Sequence, residues 1–199
     1  MKLDGYPKEA TLRDGSRVLL RPVVAKDGVE LLRFYRALPE EDRLFLRDDV
    51  TTPDWEQRYI GSIDYEGVLP LVAEREGAIV GNATLYRPRH GWSAHVAQIR
   101  VVVAREYQRH GLGTALAKAL VELAIARGVE KMVAEVVDNQ IGALRAFERL
   151  GFHREAVLKG HVKDVRGMKR DLVMLANDVS HLWEAMEALV SDYSPTREG

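Results

Sequence analysis

The chain has 199 residues, 46% of them hydrophobic and 30% charged, and its length suits one domain or one domain with an appendage. A core in a chain of that length hides about two-thirds of the surface its unfolded form exposes. Its 29 Lys and Arg against 30 Asp and Glu give a net charge of −1, which argues against a surface built for duplex DNA though not against a local basic pocket for a small anion, and no nucleic-acid partner is expected. The absence of cysteine excludes disulfides, thiolate metal sites, cysteine nucleophiles and iron–sulfur clusters.

In chain order, residues 17–21 (Arg-Val-Leu-Leu-Arg) read as a strand entered through Asp14-Gly15 and stopped by Pro22. Leu31, Phe34, Tyr35 and Leu38 recur at helical spacing and predict a helix over 26–38. Thr52 before Pro53 has the form of an N-cap with proline at the first helical position, and Trp55, Tyr59, Ile60 and Ile63 give that helix an apolar face. Strands over 68–75 and 78–86 flank a hairpin turn at Glu76-Gly77. After a loop at 88–92, a Val- and Ile-rich strand covers 94–103. Leu112, Leu116, Leu120 and Leu123 mark the strongest helix, 112–127, ended by Gly128. A strand at 131–137, a helix at 140–150 and paired strands at 152–159 and 168–176 follow. The alternation predicts a mixed α/β (α+β) domain over 10–176. An amphipathic helix at 177–193 carries Leu182, Trp183, Met186, Leu189 and Val190 on one side. It is expected to pack on the domain or on a homodimer partner. No apolar run approaches the ~20 residues that span a bilayer. The first seven residues lack a signal peptide's apolar segment, so a cytoplasmic protein is expected.

The most informative stretch runs from Val101-Val102-Val103 through Gln108-Arg109-His110-Gly111-Leu112-Gly113-Thr114. A β-branched strand leads into a turn, and the turn opens a long helix. Glycines there let backbone approach a ligand, and the first helical N–H groups with the helix dipole favour an anion, above all phosphate. No Lys-Ser or Lys-Thr pair follows Gly113, and the third glycine of the dinucleotide fingerprint is absent.

Gln108 to Gly113 match Gln/Arg-x-x-Gly-x-Gly/Ala, the diphosphate loop of the GNAT superfamily of acetyl-CoA-dependent N-acetyltransferases, and the chain resembles that family in three further places. These are Leu19-Leu20-Arg21-Pro22, Ile79-Val80-Gly81-Asn82-Ala83 and Phe147-Glu148-Arg149-Leu150-Gly151-Phe152. Leu12-Arg13-Asp14-Gly15-Ser16 and Arg21-Pro22 further resemble the GNAT domains of bacterial protein lysine acetyltransferases. The resemblance implies a mostly antiparallel twisted sheet with a splayed central strand pair and helices on both faces. It implies that Val101, Val102 and Val103 align the pantetheine arm and polarise the thioester carbonyl. Gln108, Arg109, His110, Gly111, Leu112, Gly113 and Thr114 would hold the diphosphate, and Asn139 or Gln140 would bond the pantetheine amides. Phe147 stands where the family often has a tyrosine that protonates the departing thiolate, and it has no proton to give. Water is the expected donor.

The implied reaction is direct attack by a primary amine, of a small molecule or a protein, on acetyl-CoA. The alternative is a catalytically weak acyl-CoA sensor or regulatory module. A lysine amine titrates near ~10.4 and an α-amine near ~7.7–8.0, so the former needs more help from a base. Candidate bases are His161 and Asp164 between the last two strands and Glu74 at a strand end. The six histidines show no metal-ligand spacing, so no metal is expected.

Overall fold

The computed structural model describes residues 3–43, 46, 48–164 and 166–182. β1 (Lys8–Thr11) pairs with β2 (Arg17–Pro22). A 3-10 turn at Ala25–Asp27 leads into α1 (Gly28–Ala37), and a single helical turn forms α2 (Glu40–Arg43). α3 (Pro53–Ser62) starts as its sequence predicts, with Thr52 Oγ1 accepting from the Trp55 N–H at 3.2 Å. β3 (Val68–Arg75) and β4 (Ala78–Tyr86) form the hairpin, with Glu76 and Gly77 both at positive φ. β5 (Val96–Val103), α4 (Leu112–Ile125), β6 (Lys131–Val137), α5 (Ile141–Arg149), β7 (His153–Lys163) and β8 (Lys169–Asp178) complete the order.

Two departures from the sequence reading have simple causes. β1 is four residues long and almost wholly exposed, so it carries no apolar alternation to announce it. β7 runs to Lys163, past the expected end at 159, because its register shifts between Leu158 and Val162 and pairing resumes at Val162↔Arg170. Residues 179–182 begin a helix whose Val179 and Leu182 join the main core. The rest of the expected terminal helix, with Trp183, Met186, Leu189 and Val190, lies outside the described residues.

The strands form one eight-stranded sheet in the order β1-β2-β3-β4-β5-β6-β8-β7. Every pair is antiparallel except β5 with β6. Apolar residues bury on both faces. Leu112, Leu116 and Leu120 of α4 are fully buried against one face, where they contribute to the larger core. α1 and α3 cover the other with Leu31, Phe34, Tyr35, Trp55 and Tyr59. That second core holds a closed polar network. Tyr35 Oη donates to Asn82 Oδ1 at 2.7 Å, Asn82 Nδ2 donates to the Leu71 carbonyl at 2.9 Å, and Tyr59 Oη bonds Thr84 Oγ1 at 2.7 Å. Burial pushes the Tyr35 phenol up to about 12, so it stays a donor at neutral pH.

Gly81 sets how closely α4 approaches the sheet. A Cβ there would stand 3.0 Å from Leu116 Cδ1 and 3.4 Å from both Leu112 Cδ2 and the Val102 carbonyl oxygen. Gly81→Val is therefore expected to destabilise the fold by about 1–3 kcal/mol through overpacking. The expected reading is a lower urea midpoint at unchanged slope. An unchanged midpoint would show that α4 can shift at no cost.

Candidate active site

β5 and β6 run together for only three pairs, Val96↔Lys131, Ala97↔Met132 and Gln98↔Val133. Beyond Gln98 they part. β5 stays paired with β4 as far as Gly81↔Val103, and β6 stays paired with β8 as far as Val137↔Leu172. The gap therefore opens inside a continuous sheet. The Ala104 N–H donates to the Val80 carbonyl at 3.0 Å, which fixes the hydrogen-bonding phase of β5. By antiparallel alternation Val102 and Arg100 turn their backbone groups to β4, whereas Val101 and Val103 turn theirs to the gap. The three valines thus divide. Val101 and Val103 put side chains on the α4 core and backbone into the gap, while Val102 packs on the α1 and α3 core and spends its backbone on the sheet.

The turn after β5 is shaped by local backbone geometry. Arg109 and Gly111 have φ of 65° and 91°, the latter at the N-cap of α4. The helix has no side-chain cap, so its first N–H groups have no partner within the helix. The Arg13 N–H donates to the His110 carbonyl at 2.9 Å and ties the turn to the loop after β1. Gln108 Nε2 donates to the Val103 carbonyl at 3.2 Å, across the mouth of the gap. Arg105 is ion-paired with Glu41 and with Asp42, the latter at 3.3 Å, so the α2 turn is held beside the same turn.

A cleft of about 980 Å³ follows the gap. Val101, Val103 and Gln108 line one side, and Gln140 and Phe147 the other. Gln140 is the N-cap of α5 and its Oε1 accepts from the Val137 N–H at 3.2 Å, whereas Asn139 is exposed and outside the lining. Phe147 meets Phe152 edge-on, with ring centroids 5.1 Å apart.

The three candidate bases separate. His161 lines the cleft, placed there by the irregular stretch of β7. Asp164 is committed to the β7–β8 turn, where Oδ1 accepts from the Arg166 and Met168 N–H groups and Oδ2 from Arg170 Nε at 2.9 Å. Burial pushes that carboxyl up, but these hydrogen bonds outweigh it and hold it below the ordinary carboxylate range, a poor setting for a base. Glu74 lies outside the cleft and accepts from Arg21 Nε at 2.8 Å, within a cluster in which Arg21 also pairs with Asp27 at 2.6 Å.

Sequence reasoning passed over two of the charged groups in the cleft wall, Arg100 and Glu135, whereas Asp48 reads from sequence as an acidic group that could attract a cationic amine. Arg100, Asp48 and Glu135 all line it. Glu135 and Tyr86 also line an adjoining cavity of about 480 Å³, and Glu135 is the one carboxylate common to both cavities among the described residues. Its signal was available. β6 reads Lys-Met-Val-Ala-Glu-Val-Val, and Met132, Ala134 and Val136 bury on the α4 face, so Glu135 belongs to the opposite face, the one charge in the strand after Lys131 at its start.

Residues 28–152 match the Acetyltransferase (GNAT) family. The chain belongs to that family. It is 31% identical over 113 residues, 57% of its length, to the Xenopus tropicalis protein named Probable N-acetyltransferase camello, of which the match covers 49%. The chain spans about half the length of the curated relatives it matches. Among solved structures, Mycobacterium smegmatis RimJ in complex with CoA-disulfide superposes with a TM-score of 0.75 at 25% identity, covering 94% of this chain and 96% of that one. The GNAT domain of S. lividans PAT superposes with a TM-score of 0.76 at 20% identity, covering 89% and 99%. The splayed pair implied by the diphosphate-loop resemblance is thus present in a GNAT fold. Among the described residues of this GNAT chain, no helix is long and apolar enough to cross a membrane. No group of three or more acidic or histidine side chains is arranged to hold a metal ion there.

Proposed function

We propose that this GNAT domain transfers an acetyl group from acetyl-CoA to a primary amine by direct attack, with both substrates bound together. The observation that carries the reading is the gap between β5 and β6. It offers a backbone edge of Val101 and Val103 that no described strand pairs, met at the Val103 carbonyl by Gln108 Nε2, beside an uncapped helix start at Gly111. An extended amide-bearing arm completes such an edge as a further strand would, and a diphosphate suits the helix start. The residues fit that ligand. Gln108, Gln140 and Phe147 line the cleft, Gln140 suiting the amides and Phe147 an apolar part of the arm, while the backbone N–H groups of 111–114 and the turn residues Arg109 and His110 would meet the phosphates at its end.

Bound in this way, acetyl-CoA supplies the activated acyl group. The Val101 N–H turns toward the gap and donates to the thioester carbonyl oxygen as charge gathers on it. Glu135 receives the amine proton, with His161 as the second cleft residue able to do so. Asp164 and Glu74 are set aside because neither lines the cleft, and Asp164 is held below the ordinary carboxylate range by its turn. Water reaches the open cleft and reprotonates the thiolate. Both the amine of a small molecule and that of a protein suit this scheme, in a cytoplasmic setting.

Calorimetry with CoA, followed by thiol release from acetyl-CoA across polyamines, amino acids, aminoglycosides and peptides, tests the reading. Binding with turnover on some acceptor is expected. Absence of CoA binding overturns it. Binding with no turnover on any acceptor favours the second reading, an acyl-CoA sensor, to which Phe147 in place of a phenol lends support.

A further inference from the structure

Arg100 is half-buried in the cleft wall on the face covered by α1 and α3. Its guanidinium donates from Nη2 to Tyr86 Oη at 2.7 Å and lies over the Tyr86 ring at 5.4 Å. Its Nε is buried with no hydrogen-bond partner. Among the described residues it forms no ion pair, although Asp48 lines the same cleft. An arginine withdrawn from water normally spends its donor fork on a carboxylate or phosphate. This one has a neutral phenol.

Its place in the fold gives that vacancy a direction. The last β5–β6 pair is Gln98↔Val133. Two residues further along each strand stand Arg100 and Glu135, opposite charges on the same face, on either side of the widening gap. They form no ion pair with each other. Arg100 also adjoins Val101, whose N–H turns toward the gap. An acceptor whose amine approaches Glu135 therefore brings whatever it carries a few bonds away within reach of Arg100.

We infer that Arg100 is an acceptor-binding residue that takes a carboxylate near the reacting amine, and that the acceptor is an amino-carboxylate. This rests on the acetyltransferase reading above. Two sources share the chemistry: a free amino acid, and a peptide N-terminus followed by an acidic side chain. An acidic group suits the donors of this guanidinium that the bond to Tyr86 leaves unused. A plain polyamine or aminoglycoside would leave the fork unmatched and add positive charge beside it.

The test uses pairs of acceptors that differ only in the carboxylate: leucine against leucinamide, and Ala-Asp-amide against Ala-Asn-amide. With the intact protein and acetyl-CoA, the anionic member of at least one pair is expected to give a kcat/KM about 10- to 100-fold above its neutral partner. Which pair shows the preference separates the amino acid from the peptide. Arg100→Gln is expected to collapse that ratio mainly through KM, and Arg100→Lys to restore part of it. Equal use of both members in both pairs overturns the inference, as does a ratio that Arg100→Gln leaves intact. So does a result in which no anionic member is acetylated or raises the melting temperature of the CoA complex. CoA calorimetry on the same preparations tells apart the two failures: wild-type protein that binds no CoA defeats the acetyltransferase reading itself. Variants that keep CoA binding have folded, so their acceptor kinetics report on Arg100.

Discussion

Glu135→Gln is expected to lower kcat for acetyl transfer by about 10²- to 10⁴-fold while leaving CoA affinity within about twofold. The glutamine keeps the shape of the side chain and loses only the ability to take a proton. Glu135 belongs to the strand face opposite the α4 core, at the junction of the two cavities and beyond the last pair joining β5 to β6. An amine that crosses from the smaller cavity toward the parted strands passes it. His161 lines the larger cavity only, on a strand whose described residues are mostly exposed. His161→Gln is accordingly expected to slow turnover less than Glu135→Gln does. Saturating both substrates isolates the chemical step, and equal rates for wild type and Glu135→Gln would remove Glu135 from the proton path.

Gly113→Asp is expected to weaken CoA binding by at least about 100-fold, with folding stability kept or slightly raised. The two glycines of the turn differ in what they require. Gly111 has φ of 91°, so any side chain there is strained by the backbone alone. Gly113 has ordinary helical backbone, and a Cβ on it would meet only Val103 Cγ2 at 3.8 Å, a comfortable contact. The site thus accepts a side chain as far as the fold is concerned. An aspartate in the first turn of α4 complements the helix dipole, which supports the helix. On the proposed function the same carboxylate would occupy and repel the diphosphate position. Calorimetry with CoA and a thermal melt on one preparation separate the two effects. Undiminished affinity would show that the diphosphate binds elsewhere. Reduced affinity with an equally reduced melting temperature would show only damage to the fold.

Local signals carried much of the architecture. Thr52-Pro53 announced α3, Glu76-Gly77 the hairpin, and the leucine spacing of α4 its buried face, because each depends on residues a few positions apart. β1 and the last part of β7 were not legible. The first is a short exposed strand held by its neighbour, and the second resumes pairing after an irregularity that pattern alone does not reveal. The division among Val101, Val102 and Val103 was equally hidden. Three identical side chains in a row say nothing of which backbone groups are spent on β4.

The candidate bases show the same limit. His161, Asp164 and Glu74 are alike in sequence as titratable groups near strand ends. Two of them are engaged by arginines, Arg170 lying six residues from Asp164 and Arg21 on a neighbouring strand from Glu74. Arg100 and Glu135 were overlooked because each sits inside an apolar strand, where a charge reads as an isolated exception. They become a pair only when β5 and β6 are laid side by side and seen to part.

The sequence by itself determined the order of most elements, the turn at Gly111 and the family resemblance, since these rest on short-range backbone preferences and contiguous motifs. Only the tertiary structure decided where the sheet opens, which valine backbones face the opening and which charges meet across it. Those properties belong to strands separated by a turn and a helix, and they arise when hydrogen bonds to β4 and β8 hold β5 and β6 in place after their own pairing has ended.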